Sequence, residues 1–146
     1  MVDAIVTAAV TLPAALDLMR RPFEADDEGY VVSTWLHDYV DDILLRDDPL
    51  RPLFYDDYRP YVEARLGTVE IACLRDEPNV IVGWRCEREG VLHFAHVKPR
   101  FRGVGVFRWL VGPLLNKPML YTHETRGFAR MKLNPRWQYR PLLKWR

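Results

Sequence analysis

HVKPRFRGVGVFRWLV, residues 96–111, decides how this chain is read. It sets four basic residues and two glycines between an apolar run and an amphipathic one. Before it, VLHFAHV (91–97) has the composition of a buried strand. After it, Phe107, Leu110, Val111 and Leu114 recur at helical spacing, and Pro118 closes the helix. A loop feeding a helix presents the unbonded N–H groups of the first turn, and their dipoles favour an anion. Gly103 and Gly105 let the backbone approach phosphate oxygens, and Arg100 and Arg102 add fixed positive charge. This placement predicts a pyrophosphate cradle.

The flanking segments set that loop in a mixed α and β order. VEIACL (69–74), NVIVGWRCE (79–87) and VLHFAHV read as an antiparallel meander separated by short turns. Ahead of them, Pro13 to Leu18 is expected to form a first strand, and Arg20-Arg21-Pro22 through Asp26-Asp27 a turn and helix N-cap. Val32, Trp35, Leu36, Tyr39, Val40 and Ile43 then mark an amphipathic helix. DDPLRPLFYDD breaks it, and a second helix is expected over Asp57 to Leu66, with Pro60 in its first turn and Gly67 at its end. Downstream, MLYT (119–122) is strand-like, Thr125 to Met131 is helical, and the tail RWQYRPLLKWR supplies a last strand or an arm.

With 146 residues, 49% hydrophobic and 28% charged, the chain suits one globular domain over 1–146. It has no run of eighteen apolar residues, and Asp3 stands where a signal peptide would carry positive charge, so a cytoplasmic protein without a membrane span is expected. In a hairpin about Asp76-Glu77-Pro78-Asn79, Cys73 faces roughly residue 82 and Cys86 roughly residue 69, so both are expected to be buried free thiols. His93 and His96 are an odd number apart on a strand and should point to opposite faces, so no metal site is expected.

The net charge of +1 conceals an asymmetry: residues 1–97 carry 9 Lys/Arg against 19 Asp/Glu, and residues 98–146 carry 12 against 1. The cationic third predicts an anionic partner: a phosphorylated cofactor, a nucleic acid, or the acidic half of the protein itself. Trp109, Trp137, Tyr139 and Trp145 are interleaved with those basic residues, among them Arg136 and Arg140, a combination that can stack bases and neutralise phosphates.

The segment Val97, Pro99, Phe101-Arg102-Gly103-Val104-Gly105-Val106, placed after a meander and before an amphipathic helix, resembles the acetyl-CoA-binding motif R/Q-x-x-G-x-G/A of the GCN5-related N-acetyltransferases (GNAT). The resemblance covers the order of elements over most of the chain. It implies an α+β, GNAT-like fold: a central, mostly antiparallel sheet of about six strands flanked by about four helices. It also implies an acyl-CoA, normally acetyl-CoA, held by Val97, Arg102, Gly103, Val104, Gly105, Val106 and Phe107, with the backbone of Phe94 to Val97 beside the pantetheine arm and the thioester where the fourth and fifth strands part. In the Phe101-Arg102-Gly103 register the final small residue of the motif is Phe107; the register Arg100-x-x-Gly103-x-Gly105 satisfies the letters two residues earlier. Thr122-His123-Glu124-Thr125 and Trp137-Gln138-Tyr139-Arg140-Pro141 are similar to C-terminal segments of bacteriophage members, which implies a phage-encoded enzyme of DNA modification.

Acyl transfer to an amine needs a base for the amine proton and a donor for the leaving thiolate. Glu87, His93, His96, Thr122 and His123 are candidates on the strands. His123, at the end of the fifth strand, suits proton traffic near neutral pH best, and Tyr139 is the nearest tyrosine downstream. Two readings follow from the sequence. One is an acyl-CoA-dependent transferase acting on the amine of a small molecule, protein or nucleobase. The other is a binding module of the same fold, its cofactor pocket closed by Phe107 and its basic face docked on nucleic acid or an acidic protein.

Overall fold

The computed structural model describes residues 16–43, 47–123 and 136–141. Its frame is a six-stranded sheet in sequential order: β1 (Leu18–Pro22), β2 (Val69–Leu74), β3 (Ile81–Arg88), β4 (Val91–Val97), β5 (Met119–Tyr121) and β6 (Trp137–Tyr139). Strands β1 to β4 are antiparallel to their neighbours, and β4, β5 and β6 are parallel. The β3–β4 hairpin turns on Glu89 and Gly90, with φ of 52° and 79°. Two successive positive φ values match the right-handed twist of the paired strands.

Two layers of helix cover the sheet. On one face lie α1 (Glu28–Ile43) and α2 (Arg51–Glu63). Val31, Trp35 and Leu36 of α1 and Tyr58, Tyr61 and Val62 of α2 pack there against Ile71, Trp84 and Phe94. Trp35 is the hub: its ring stands 5.7 Å from Phe94 and 5.1 Å from Trp84. On the other face α3 (Val106–Val111), prolonged by a 3-10 turn over Gly112–Leu114, buries Val106, Leu110 and Val111 against Val82, Leu92, Ala95 and Val97. The helix expected after β5, Thr125 to Met131, lies outside the described residues.

Several local expectations are corrected. Of the first strand expected over Pro13 to Leu18, residues 13–15 lie outside the described residues; β1 takes in Leu18 and continues through Arg20 and Arg21, which pair with Ala72 and Ile71. The Arg21 guanidinium then forks onto both oxygens of the buried Asp27 at 2.7 and 2.8 Å, and Asp27 Oδ2 also accepts the Glu24 N–H at 2.8 Å. Glu24 is therefore the N-cap, and Asp27 is the inward residue of a capping box. The second helix starts at Arg51, six residues earlier than expected, because Pro52 occupies the first turn where no N–H is required. Pro60 lies close to the end of that helix, on its exposed side. Cys73 faces Ile81 and Cys86 faces Val69, and both are buried free thiols.

The hydrogen bonds from Arg21 hold the Asp27 carboxyl below its usual range. A depressed carboxyl stabilises the fold above its unfolded pKa, and that contribution is lost as pH falls through the folded value. Replacing Asp27 by Asn should cost about 3–5 kcal/mol, because Arg21 is left with its partner's charge removed. Urea denaturation of the Asp27→Asn variant checks this: a change below 1 kcal/mol would mean that water already neutralises the pair.

Candidate active site

The site begins with one extra residue in β4. Cys86 of β3 pairs with Phe94 and the next residue, Glu87, with Leu92, so His93 is a bulge. A bulge slips the in-and-out alternation by one position. Leu92, Ala95 and Val97 face α3, whereas His93, Phe94 and His96 all face α1 and α2. The expectation that His93 and His96 point to opposite faces is thus overturned.

Strand β5 adds a second feature. Among the described residues it pairs with β4 at Val91↔Leu120 and Leu92↔Tyr121, flanked by bonds from Leu120 N–H to the Gly90 carbonyl at 2.9 Å and from Thr122 N–H to the Leu92 carbonyl at 3.2 Å. Beyond that point the contacts come from side chains. Thr122 Oγ1 donates to the His93 carbonyl at 3.1 Å, and His123 Nδ1 lies 2.7 Å from the same oxygen. Among the described residues, the stretch of β4 from Phe94 to Val97 runs past the end of its pairing with β5.

Three buried histidines converge on this face. A carbonyl can only accept, so His123 Nδ1 carries its proton and Nε2 presents the lone pair, 3.0 Å from the Tyr58 hydroxyl that donates to it. Tyr58 is stacked between Tyr39 and Tyr61, with ring centres 4.0 and 4.8 Å away. Burial raises both the Tyr58 and Tyr61 phenols well above their ordinary value. The Tyr61 hydroxyl lies 2.6 Å from His93 Nδ1. Burial, with help from Arg65 and Arg88, pushes His93 down to about 4, so its ring is neutral at neutral pH. His96 Nδ1 is 2.5 Å from Asp38 Oδ2, and its Nε2 is 3.1 Å from the Tyr30 hydroxyl.

At the end of β4 the glycine-containing loop turns into α3. Gly103 and Gly105 have φ of 79° and 93°, a region that strains any residue with a Cβ. A Cβ built on Gly103 would meet nothing within 4 Å, so the loop is bare on that side. Arg102 reaches back, Nε donating to the Val97 carbonyl at 2.7 Å, with Nη2 4.0 Å from Asp38 Oδ2. Val104 is exposed and Val106 buried, and the Phe107 ring packs against the core on the α3 side. The first helical bond runs from Trp109 N–H to the Gly105 carbonyl at 3.0 Å.

The sequence-derived candidates separate accordingly. His123, Thr122 and His93 come together. Glu87 accepts the Gly90 N–H at 3.0 Å and closes the β3–β4 turn. Tyr139 is 42% exposed on the edge strand β6, its ring 5.5 Å from Tyr121. Of the residues suited to nucleic-acid binding, Trp137 is buried and donates its Nε1–H to the Lys117 carbonyl at 3.1 Å, while the Arg20 guanidinium covers Trp109 at 4.1 Å. Arg136 and Arg140 bond to the Asn116 carbonyl and to Gln138, each at 2.8 Å. Trp145 and five of the basic residues (Arg126, Arg130, Lys132, Lys144 and Arg146) lie outside the described residues. Sequence reasoning missed Tyr30, Asp38, Tyr58 and Tyr61. The available signal was that helical tyrosines on a buried stripe need a partner for each hydroxyl, which a histidine-bearing strand provides.

No protein-family model and no curated protein matches this chain. Among solved structures it is similar to apo YjaB from Escherichia coli, with 21% identity, a TM-score of 0.52, and 68% of this chain and 65% of that chain covered. The match therefore spans slightly less than two thirds of YjaB. It is also similar to a GCN5-related N-acetyltransferase, described as aminotransferase class-II, from Rhodopseudomonas palustris (19% identity, TM-score 0.46, 73% and 66% covered). A third is a predicted acetyltransferase solved with acetyl-CoA from Clostridium acetobutylicum (12% identity, TM-score 0.48, 88% and 98% covered). The likeness to YjaB is one of fold. The architecture is the α+β one expected, with a mixed six-stranded sheet and three α-helices among the described residues. The likeness to YjaB, from Escherichia coli, lends the phage expectation no support. Among the described residues no helix is long and apolar enough to cross a membrane.

The neutral, buried His93 gives a pH signature. Its folded value near 4 lies below its ordinary 6.5, so the unfolded chain binds more protons between the two. Stability should fall as pH drops through that window, by up to about 3 kcal/mol from this residue. Urea midpoints between pH 7 and pH 4 check it. The fall should flatten in a His93→Gln variant, and an equally steep fall there would assign the effect to other groups.

Proposed function

We propose that this protein is an acyl-CoA-dependent N-acyltransferase that moves an acetyl or related acyl group to an amine. The observation that carries the reading is the bare, left-handed turn at Gly103 and Gly105, leading into α3 beside the stretch of β4 that extends past β5. A turn built on Gly103 and Gly105, with the charge of Arg102 beside it, suits a diphosphate. The backbone from Phe94 to Val97 suits an extended pantetheine arm. When bound, acyl-CoA supplies an activated thioester.

The chain's own residues supply position and proton transfer. Thr122 and the His93 carbonyl hold His123 in one tautomer, with Nε2 able to take the acceptor proton in place of the Tyr58 hydrogen bond. The neutral His93 keeps positive charge away from an amine that must lose its own. The acceptor class, whether small molecule, protein or nucleobase, belongs to the proposal. The binding-module reading draws less support, because the Phe107 ring packs on the core and Trp137 is buried.

Acetyl-CoA should raise the unfolding midpoint saturably, equivalent to about 2.7 kcal/mol at a hundredfold excess over Kd. Gly105→Val should abolish the shift. His123→Ala should preserve it while lowering amine-dependent thiol release on the order of a hundredfold. Absence of any shift at millimolar acetyl-CoA would contradict the assignment.

A further inference from the structure

A hydroxyl–imidazole–carboxylate line lies near the end of β4, separate from the His123 pair. Tyr30 Oη stands 3.1 Å from His96 Nε2, and His96 Nδ1 stands 2.5 Å from Asp38 Oδ2. Because a carboxylate without a proton only accepts, His96 Nδ1 carries the proton, and Nε2 accepts the Tyr30 O–H. His96 is 4% exposed and lies against Trp84, with ring centres 6.0 Å apart and planes 23° apart, so the base is held in one orientation. Tyr30 is half-buried. A base held between a hydroxyl and an orienting carboxylate is the arrangement that activates a hydroxyl nucleophile.

The surroundings suit that role. Burial, and secondly the Asp38 charge, raise the Tyr30 phenol, while Arg102 opposes them. The hydroxyl is therefore intact at neutral pH and requires a base to react. Cations stand beside this group: Lys98 Nζ is 5.6 Å from the Tyr30 ring centre, and Arg102 Nη2 is 4.0 Å from Asp38 Oδ2. His96 belongs to the stretch of β4 beyond its β5 pairing, and Arg102 ties the glycine loop to the end of the same strand.

We propose that Tyr30 is an acyl-accepting nucleophile, with His96 as its base and Asp38 as the positioning residue for His96, so that transfer passes through an O-acyl-tyrosine. The proposal rests on the acyltransferase reading for the identity of the donor, not for the nucleophile. In the first step a bond forms between Tyr30 Oη and the acyl carbon, and the carbon–sulfur bond breaks. The phenolic proton passes to His96 Nε2 and on to the departing sulfur, which leaves as a thiol. In the second step an amine attacks the ester carbon and the carbon–Oη bond breaks. The amine proton is taken by His96 Nε2 and returned to Tyr30 Oη as that oxygen leaves.

The test uses two donors without any amine: p-nitrophenyl acetate, which needs no CoA site, and acetyl-CoA. Quenched samples are read by intact mass and peptide mapping, alongside release of p-nitrophenol or thiol. The expected result is one acetyl group per chain on Tyr30, with a burst equal to the enzyme present. Tyr30→Phe should lose adduct and burst. His96→Gln should acylate the same residue on the order of a hundredfold more slowly, and Asp38→Asn should also be slowed, with unfolding midpoints confirming that each variant is folded. An adduct from the ester but not from acetyl-CoA would support the nucleophile while contradicting the acyl-CoA reading. No adduct on Tyr30 from either donor, or an undiminished burst in folded Tyr30→Phe, would overturn the proposal.

Discussion

A single unpaired residue in β4 gathers the buried histidines of this protein on one face of the sheet. Without the bulge at His93, strict alternation would send His93 and His96 to opposite faces of the sheet. With it, both reach the face that also receives His123, and each ring meets a tyrosine on a helix or a carboxylate. The arrangement has a thermodynamic condition: polar groups buried this deeply are tolerated only when hydrogen-bonded. Tyr30, Tyr58 and Tyr61 meet that condition by donating to, or sharing a proton with, the imidazoles. Gly83 allows β3 to lie close to this part of β4, since a Cβ there would stand 2.5 Å from the His96 carbonyl oxygen.

The same strand end connects the two oppositely charged parts of the molecule. Arg102, from the basic third, bonds the Val97 carbonyl and stands 4.0 Å from Asp38 in the acidic half. Arg20, itself in the acidic half, pairs there with Glu70 and also bonds the backbone carbonyls of Trp109 and Leu110. Part of the charge asymmetry is thus met inside the fold. Trp109 and Trp137, which read in isolation as base-stacking platforms, serve as a cation–π partner and a core residue.

Much of this architecture was legible in the residues. The meander, the glycine loop and the stripe of α3 follow from periodicity, and the separation of Cys73 from Cys86 follows from the register. The bulge was not legible, because an extra residue in a continuous apolar run leaves no mark on composition. The start of α2 was hidden by Pro52 and a run of carboxylates, although Tyr58, Tyr61 and Val62 already mark its buried side. Asp27 looked like an ordinary cap, because its partner Arg21 lies in a strand whose pairing depends on β2, some fifty residues away. Of the proposed site, His123 and the loop could be named from sequence. The hydroxyl partners could not, since they come from helices brought together only by tertiary packing.

The central claim is that the amides at the mouth of α3 and the end of β4 form one continuous ligand surface. An amide-resolved NMR titration with CoA tests it most directly. The account predicts saturable shifts concentrated at Gly103 to Phe107 and along Phe94 to Val97, with smaller changes at His123. Shifts confined to other surfaces, or an unchanged spectrum at millimolar CoA, would contradict it.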